Sequence, residues 1–343
     1  MMRRLLLVFS AAALLLGLSS VVLYVIATPR APVLATVIDD PSLPSLMVRG
    51  VRLHGELFGP EDAPLVIVLH GGPGNDYRAL LPLKALADRY RVFFYDQRGA
   101  GLSQRVPIAD LTIDNYIIEL DDIVQRFSPE RPVLLVGHSW GAMLASGYLS
   151  RHPTKVAAAV LAEPGFLTSE LAATFLAKTH GMQPPLSAAF FWHALRTWFE
   201  SFHIDGPDAE AARDYLIETI VMGADIEGHP MAGYFCGGEV DPALLPMWRF
   251  GSAAMFASQR LADDEGHIEI DLVSGSERFT GPLLFLTGAC NTLIGPDHQR
   301  EQMGLFKNAT LEVLPDVGHS MFAEAPQASV AAVRQLFDGV VAP

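Results

Sequence analysis

Positive charge is scarce in this chain of 343 residues. It has 24 Lys and Arg against 38 Asp and Glu, which gives a formal net charge of −14 at pH 7. Binding to a nucleic-acid backbone depends on clustered Lys and Arg that neutralise phosphates. The composition therefore argues against nucleic acid as a partner.

Cysteine is scarcer still, with Cys236 and Cys290 as the two examples. They do not have the spacing of metal ligands, and two cysteines do not define a disulfide framework. We therefore expect no metal, no cofactor and no redox role. Internal repeats are also absent, which argues against a solenoid or array.

Charge is missing altogether from residues 5–26, an apolar run that follows Arg3 and Arg4. A membrane-spanning helix needs about 20 such residues, whereas a cleaved signal has an apolar region of about 7–15. We expect residues 1–28 to anchor the chain in a membrane. The preceding arginines favour a cytoplasmic N-terminus and a periplasmic body. The alternatives are secretion after cleavage near Ala27, and a buried helix.

Short apolar runs alternate with helical patterns from residue 65 onward. They lie at residues 65–69, 92–95, 133–136, 156–161, 283–287 and 311–314. This alternation predicts an α/β fold with a mostly parallel sheet and helices on both faces. Ligands bind at the carboxyl ends of the strands in such sheets.

The alternation breaks between residues 166 and 278, which are rich in aromatic residues and helical patterns. We interpret this interval as a helical lid inserted into the sheet domain. The predicted organisation is then a linker at residues 29–44, which are rich in Pro and Ala, a core at 45–165, the lid at 166–278 and the rest of the core at 279–343.

Residues 137–141, Gly-His-Ser-Trp-Gly, follow one apolar run and precede a helical pattern. The order predicts a strand, a tight turn and a helix. The two glycines remove Cβ atoms that would clash in this turn, and Ser139 is left exposed at the helix N-terminus. A bare match also occurs in plain loops, but this context favours Ser139 as a nucleophile.

A second turn, residues 70–74 (His-Gly-Gly-Pro-Gly), also follows a strand. Such a turn can aim a backbone N–H at a developing oxyanion. The N–H of Gly72 is our candidate, with the N–H of Trp140 as its partner.

Two more motifs directly follow strands of the same predicted sheet. Residues 96–103 read Asp-Gln-Arg-Gly-Ala-Gly-Leu-Ser, and we expect Asp96 and Arg98 to brace this loop. Residues 318–320, Gly-His-Ser, follow the last strand. A triad that begins with serine places its base late in the chain, which makes His319 the candidate base.

Together these four motifs closely resemble those of the α/β-hydrolase family of prolyl aminopeptidases, also called proline iminopeptidases. The resemblance covers roughly residues 45–340. It implies an α/β-hydrolase fold and hydrolysis of an amide bond after an unblocked N-terminal residue, often proline.

The resemblance extends in part to the lid. In that family, acidic lid residues hold the α-ammonium of the substrate, one in a Trp-Glu context and one in an Ile-Glu-Asn-His-Tyr-Phe context. This chain has Glu200 in Trp-Phe-Glu and Glu227 in Ile-Glu-Gly-His, with Tyr-Phe at residues 234–235 after an insertion. The resemblance implies that Glu200 and Glu227 bind the substrate amine. The alternative is that both are solvated residues on a helix surface.

The acid of the triad departs from the family pattern. Members usually carry an Asp in a Gly-x-x-Asp turn, where this chain has Asn291. Asparagine has no charge to stabilise an imidazolium. Glu163 follows the strand next to the nucleophile strand, a position that supplies the acid in some α/β-hydrolases, including a branch of the haloalkane dehalogenases. We predict Glu163 as the acid. The alternatives are Asp297, and a neutral Asn291 that orients His319.

The sequence thus predicts a serine hydrolase that forms an acyl-enzyme on a small peptide or amide through Ser139, His319 and Glu163. An esterase or lactonase on the same scaffold is the first alternative, because the core chemistry does not separate esters from amides. A non-catalytic binding protein tethered to a membrane is the second. A dehalogenase or epoxide hydrolase is disfavoured, because those enzymes use a carboxylate nucleophile.

Overall fold

Eight strands form the sheet at the centre of the computed structural model, which describes residues 2–179, 187–222, 229, 231–263 and 265–341. The strands are β1 (Ser45–Val48), β2 (Val51–Phe58), β3 (Leu65–Leu69), β4 (Arg91–Tyr95), β5 (Val133–His138), β6 (Val156–Ala162), β7 (Leu283–Gly288) and β8 (Ala309–Leu314).

The strand order is β1-β2-β4-β3-β5-β6-β7-β8. From β4 to β8 all neighbours are parallel, while β2 runs antiparallel to both β1 and β4. The six apolar runs of the sequence correspond to β3–β8, so the α/β-hydrolase fold is confirmed. The half-buried β1 and β2 were not predicted, because they lack a continuous apolar run.

In the described part of the chain, ten α-helices accompany the sheet. They are α1 (Met2–Ile26), α2 (Ile113–Phe127), α3 (Trp140–Arg151), α4 (Ser169–Thr179), α5 (Ala188–Ser201), α6 (Ala211–Met222), α7 (Ser252–Gln259), α8 (Pro296–Met303), α9 (Met321–Glu324) and α10 (Pro326–Asp338). Short 3₁₀ turns lie at Ile108–Asp110, Pro153–Lys155, Ala232–Tyr234, Cys236–Gly238, Pro242–Leu244 and Ser276–Arg278, and a longer 3₁₀ helix spans Tyr77–Asp88.

Helices cover both faces of the sheet. Apolar side chains of α2 and α3 pack on one face with Ile67 of β3. The 3₁₀ helix Tyr77–Asp88 and α10 pack on the other face with Val66 and Val68. All five side chains of β3 are buried for this reason, and a strand covered on both faces reads as a continuous apolar run.

Helices α4–α7 occupy the interval between β6 and β7 where the sequence predicts a lid. Arg249 ties this lid together, although its side chain is almost fully buried. Its guanidinium donates to Asp208 at 2.6 and 2.8 Å and to Asp214 at 2.8 and 3.0 Å. Both carboxylates therefore offset the desolvation cost of the buried cation.

The segment predicted as a linker, residues 29–44, packs against the body instead of extending from it. Val37 is buried and its N–H donates to the carbonyl of Leu102 at 2.8 Å. Arg249 donates to the carbonyl of Leu34 at 3.0 Å. Proline and alanine suggested a tether, but these backbone contacts make the segment part of the fold.

Helix α1 ends beside the lid. The carbonyl of Tyr24 accepts a hydrogen bond from His203 at 2.7 Å, and the two rings stack at 4.4 Å. Within the parts of the chain that the structure describes, no helix combines the length and apolarity needed to span a bilayer.

A disulfide joins Cys236 to Cys290, with the Cα atoms 4.9 Å apart. The sequence did not predict this pairing. The pair is separated by 54 residues in sequence, and a single pair at that distance carries no sign of proximity. The lid and the loop after β7 are thus joined covalently.

Candidate active site

Ser139 lies at the turn between β5 and α3, as the motif predicts. Its backbone has φ 53° and ψ −118°, a conformation that non-glycine residues rarely adopt. Such strain persists only where the surrounding structure enforces it, and it clusters at functional sites. The turn therefore presents the serine hydroxyl away from both the strand and the helix.

The two glycines of this turn are required by close backbone approaches. A Cβ at Gly141 would overlap the carbonyl oxygen of Leu69 on β3, and a Cβ at Gly137 would overlap the carbonyl oxygen of Gly141. These atoms belong to the backbone, so they cannot move aside by a change of rotamer. Helix α3 can start directly above the sheet only because both side chains are missing.

Gly141→Ala is accordingly expected to lower the free energy of unfolding by about 3 kcal/mol, at the upper end of the cost of overpacking. Urea unfolding followed by circular dichroism measures the change. Gly339→Ala is the matched control, because Gly339 has helical φ and its nearest new contact would be at 3.4 Å. The control should stay within about 0.5 kcal/mol of the wild type. Equal losses in both variants would contradict this account.

Glu163 and His319 are brought together by the structure. The Nδ1 atom of His319 lies 2.5 Å from Oε2 of Glu163, whose side chain is fully buried. In the sheet, His138 pairs with Ala162, so Ser139 and Glu163 leave neighbouring strands side by side. The carboxylate thus reaches the histidine from the end of β6.

The other hydrogen bonds of Glu163 all come from the end of β7 and the loop beyond it. Its Oε1 accepts from the hydroxyl of Thr287 at 2.6 Å and from the N–H of Gly288 at 2.9 Å. Its Oε2 accepts from the side-chain amide of Asn291 at 2.7 Å. Donors on every side fix the orientation of this carboxylate.

Asn291, at the position of the family's aspartate, therefore hydrogen-bonds to Glu163 and not to His319. Its amide oxygen accepts from the N–H groups of Leu293 and Ile294 at 3.0 and 3.1 Å, which fixes the direction of the amide group. Asp297, the other alternative, lies in the first turn of α8 with an almost fully exposed side chain bonded to Arg300. The structure does not bring Asp297 to His319.

His138 packs against His319. Its Nε2–H donates to the backbone carbonyl of His319 at 2.8 Å, and the two rings lie 4.6 Å apart. Burial, together with the adjacent His319, lowers the pKa of His138 to about 3. The imidazole of His138 is therefore neutral at physiological pH and acts as a fixed hydrogen-bond donor.

This burial predicts sensitivity to acid. An unfolded histidine has a pKa of about 6.5. Between that pH and about pH 3 the unfolded state binds a proton that the folded state rejects. The free energy of unfolding should therefore fall as the pH falls, by about 1.4 kcal/mol per pH unit from this group. His138→Gln keeps a donor for the carbonyl of His319 but cannot titrate. Urea unfolding from pH 7 to pH 4 should show a shallower slope in the variant, and equal slopes would refute the prediction.

Gln97 connects the Gly-rich turn to the serine turn. Its N–H donates to Nε2 of His70 at 2.9 Å, and its side-chain amide donates to the carbonyl of His70 at 2.9 Å. Its amide oxygen accepts from the indole of Trp140 at 3.1 Å. Sequence reasoning gave Gln97 no role of its own, although its place between Asp96 and Arg98 in the motif was an available signal.

The two predicted oxyanion donors lie close to this connection. Gly72 lines the cavity described below and has φ 123°, a conformation suited to glycine. Trp140 is the first residue of α3, so its N–H is one of the helix's unpaired N-terminal donors. Their binding of an oxyanion stays a prediction.

Asp96 and Arg98 brace the loop that contains them, through separate partners. Asp96 accepts from the N–H of Leu102 and contacts the ring of His54, each at 2.8 Å. The guanidinium of Arg98 donates to the buried Glu119 at 2.8 Å. Burial raises the pKa of Glu119 to about 7 in spite of the arginine.

Ser139 and His319 line one cavity of about 280 Å³ between the sheet and the lid. Most of its other walls are apolar, and they include Leu80, Leu244, Leu245, Met247, Phe250 and Phe322. Among the lining residues that the structure describes, Asp76 is the one carboxylic acid. Its carboxylate accepts from the N–H groups of Arg78, Trp248 and Arg249. The described part of the cavity wall is thus mainly apolar beside the serine.

Of the two lid glutamates, the structure describes Glu200, which is placed differently from the prediction. Glu200 is fully buried but does not line the cavity. It accepts from Arg196 and from the hydroxyl of Tyr215, each at 2.8 Å, and lies 3.5 Å from Arg30. Two guanidinium groups and a hydroxyl already satisfy its charge, so it is neither a solvated residue nor a free ammonium ligand. Glu227 lies outside the described residues.

Comparison with known proteins agrees with this geometry. A sequence profile described as alpha/beta hydrolase fold matches residues 64–326, more than half of the chain. The chain belongs to the α/β-hydrolase family. It is similar to prolyl aminopeptidases.

Two relatives of this chain are proline iminopeptidases. One, named PfmaB, is from Pestalotiopsis fici and is 37% identical over 120 residues, which cover 33% of this chain and 41% of the relative. The other, from Heyndrickxia coagulans, is 42% identical over 100 residues, or 29% of this chain and 34% of the relative. The matched regions thus span well under half of either relative.

Among solved structures, the chain is similar to a proline iminopeptidase from Mycobacterium smegmatis. The TM-score is 0.58 with 20% sequence identity, and the match covers 87% of this chain and 98% of the other. Identity at this level supports the shared fold.

Proposed function

We propose that this protein is a serine hydrolase in which Ser139, His319 and Glu163 form the catalytic triad. The observation that carries the proposal is the 2.5 Å contact between Glu163 and Nδ1 of His319, in a structure where His319 and Ser139 line the same cavity. A buried carboxylate on Nδ1 fixes the tautomer of the imidazole and stabilises its protonated form.

In the proposed mechanism, each of these groups takes part in a defined step of the reaction. The hydroxyl oxygen of Ser139 attacks the substrate carbonyl while Nε2 of His319 takes the hydroxyl proton, and the N–H groups of Gly72 and Trp140 bind the resulting oxyanion. The intermediate collapses to an acyl-enzyme as His319 returns the proton to the leaving group. Water then attacks the acyl-enzyme through the same sequence of proton transfers and releases the carboxylic acid product.

The lining of the cavity favours an ester with an uncharged, apolar acyl group. An apolar wall stabilises such a group by burial, whereas a free ammonium would lose its hydration beside a described lining in which Asp76 is the one carboxylic acid. Asp76 is occupied by three backbone donors, and Glu200 is held by Arg196 and Arg30 away from the cavity.

Removal of an N-terminal residue, proline or another small residue, from a peptide is the second candidate. It is supported by the two proline iminopeptidases among the relatives and by the aminopeptidase-like motifs. Under this candidate Glu227 binds the substrate amine.

A substrate panel separates the two candidates. It pairs p-nitrophenyl esters from acetate to hexanoate with prolyl and alanyl p-nitroanilides, each anilide with a free and an acetylated amine. For an ester hydrolase we expect kcat/KM to rise by about fourfold per added methylene, as burial of about 0.8 kcal/mol each requires. Ser139→Ala supplies the background rate. Cleavage of the free-amine anilides alone, weakened by Glu227→Gln, would establish the aminopeptidase instead.

We also propose that the N-terminal segment, residues 1–28, anchors the enzyme in a membrane with its catalytic body outside the cytoplasm. The uncharged run at residues 5–26 and the arginines before it support this placement. The Cys236–Cys290 disulfide supports it independently, because disulfides persist in oxidising compartments. Fractionation of cells with carbonate extraction tests the anchor, and recovery of the mature chain in the medium would favour secretion.

A further inference from the structure

A short segment of the lid, residues 231–236, lies directly on the proposed catalytic histidine; we call it the strap. The N–H of His319 donates to the carbonyl of Tyr234 at 2.7 Å. The phenol ring of Tyr234 stacks on the imidazole with a centroid distance of 4.5 Å. A Cβ at Gly318 would overlap the same carbonyl, so the histidine loop is shaped to let the strap approach. Sequence reasoning gave Tyr234 no role at the histidine.

The strap is also attached to the loop that holds the acid. The N–H of Thr292 donates to the carbonyl of Gly233 at 2.8 Å, and Cys236 is bonded to Cys290. The residue after Cys290 is Asn291, which donates to Glu163. One segment of the lid therefore bridges the loop of the histidine and the loop that orients its carboxylate.

Local structure alone gives this bridge little stability. The strap has a 3₁₀ turn at Ala232–Tyr234, and the next turn, Cys236–Gly238, begins at its last residue. Isolated turns of this kind are weakly stable and open easily. Its side chains contribute the buried Phe235 and the stacked Tyr234. The disulfide is the covalent attachment that keeps the strap on the histidine.

We propose that Tyr234 is a positioning residue for His319 and that the Cys236–Cys290 disulfide holds it in place, so that reduction of this disulfide lowers kcat. The inference rests on the proposed triad. A dithiol reduces the bond by supplying two electrons and two protons: the Sγ–Sγ bond breaks, two thiols form, and the dithiol becomes a disulfide. A histidine displaced by about 1 Å can cost about 10²-fold in rate, and partial loosening of the strap should cost about tenfold.

The test uses the full chain and p-nitrophenyl butyrate, with and without dithiothreitol. Dithiothreitol should lower kcat of the wild type about tenfold, with a change in KM of less than about threefold, since most of the cavity wall is apart from the strap. Cys236→Ser/Cys290→Ser, which leaves no unpaired thiol in this pair, should start with the lower kcat and not respond to dithiothreitol. A double variant with kcat within twofold of the wild type would overturn the proposal.

A second pair of variants keeps the disulfide and decides the question if the double serine variant does not fold. Tyr234→Phe retains the stacked ring and should keep kcat within about twofold, whereas Tyr234→Ala should lose about tenfold. Equal kcat in the two would overturn the positioning role. The rate of fluorophosphonate labelling of Ser139 should fall in the same order. A wild-type protein that neither turns over esters nor labels would reject the proposed function itself, and the inference with it.

Discussion

Ser139→Ala is expected to abolish turnover, with a fall in kcat of about 10⁶-fold, the scale seen when a serine nucleophile is removed. Alanine lacks the hydroxyl oxygen that attacks the carbonyl, and the remaining groups can only bind the substrate and polarise it. The backbone turn should survive, because φ 53° at this position is imposed by the strand and helix on either side. The loss of turnover is measured with endpoint assays on p-nitrophenyl esters. The loss of labelling is measured by intact-mass analysis after fluorophosphonate treatment.

Ser258→Ala is the matched control for labelling. Ser258 also lines the cavity, but its hydroxyl donates to the carbonyl of Met255 at 2.7 Å. The Ser258→Ala protein should still take up one fluorophosphonate group. Labelling that survives in Ser139→Ala would identify another nucleophile. A folded wild type that never labels would instead favour the non-catalytic binding protein.

Glu163→Gln is expected to lower kcat by about 10³–10⁴-fold, as loss of the triad carboxylate does in serine proteases. Glutamine carries no charge to stabilise protonated His319. It also cannot replace the carboxylate as an acceptor, because its NH₂ group must face one of the two sets of donors. On one side are Thr287 and the N–H of Gly288, and on the other are Asn291 and His319.

Asn291→Ala is the matched comparison and should lower kcat by about 10²-fold at most. It removes one of four hydrogen bonds to Glu163 and leaves the charge in place, and a net hydrogen bond to a charged group is worth about 1.5–3 kcal/mol at most. Steady-state kinetics of both variants on the same ester give the ranking. A larger loss in Asn291→Ala than in Glu163→Gln would show that the acid has not moved to β6.

The placements of residues at this site that follow from the sequence depend on local sequence. The Gly-x-Ser-x-Gly turn is encoded by its own residues, since only glycine permits the approach of α3 to β3. The alternation of apolar runs places Ser139, Glu163 and His319 after strands, and parallel strands end at one edge of a sheet. The topology of the sheet alone therefore brings these three residues, which are distant in the chain, to the same edge.

The predictions that failed, or were never made, depend on contacts between distant segments. Glu200 has the sequence context of a substrate ligand, yet Arg30 and Arg196 neutralise it within the lid. Residues 29–44 have the composition of a tether, yet their backbone is bonded to the body. Neither partner can be read from the neighbouring sequence, because a helical insertion has no sheet register to fix its position.

The sequence by itself determined the hydrolase fold, the nucleophile turn and the candidate base, because strand periodicity and glycine-dependent turns are local properties of the chain. Tertiary structure alone decided which carboxylate reaches His319, which glutamate is withdrawn from the cavity, and that Cys236 and Cys290 meet beside Tyr234. Each of these outcomes is set by the packing of the lid and the loops on the sheet, where the distance between side chains has no relation to their separation in sequence.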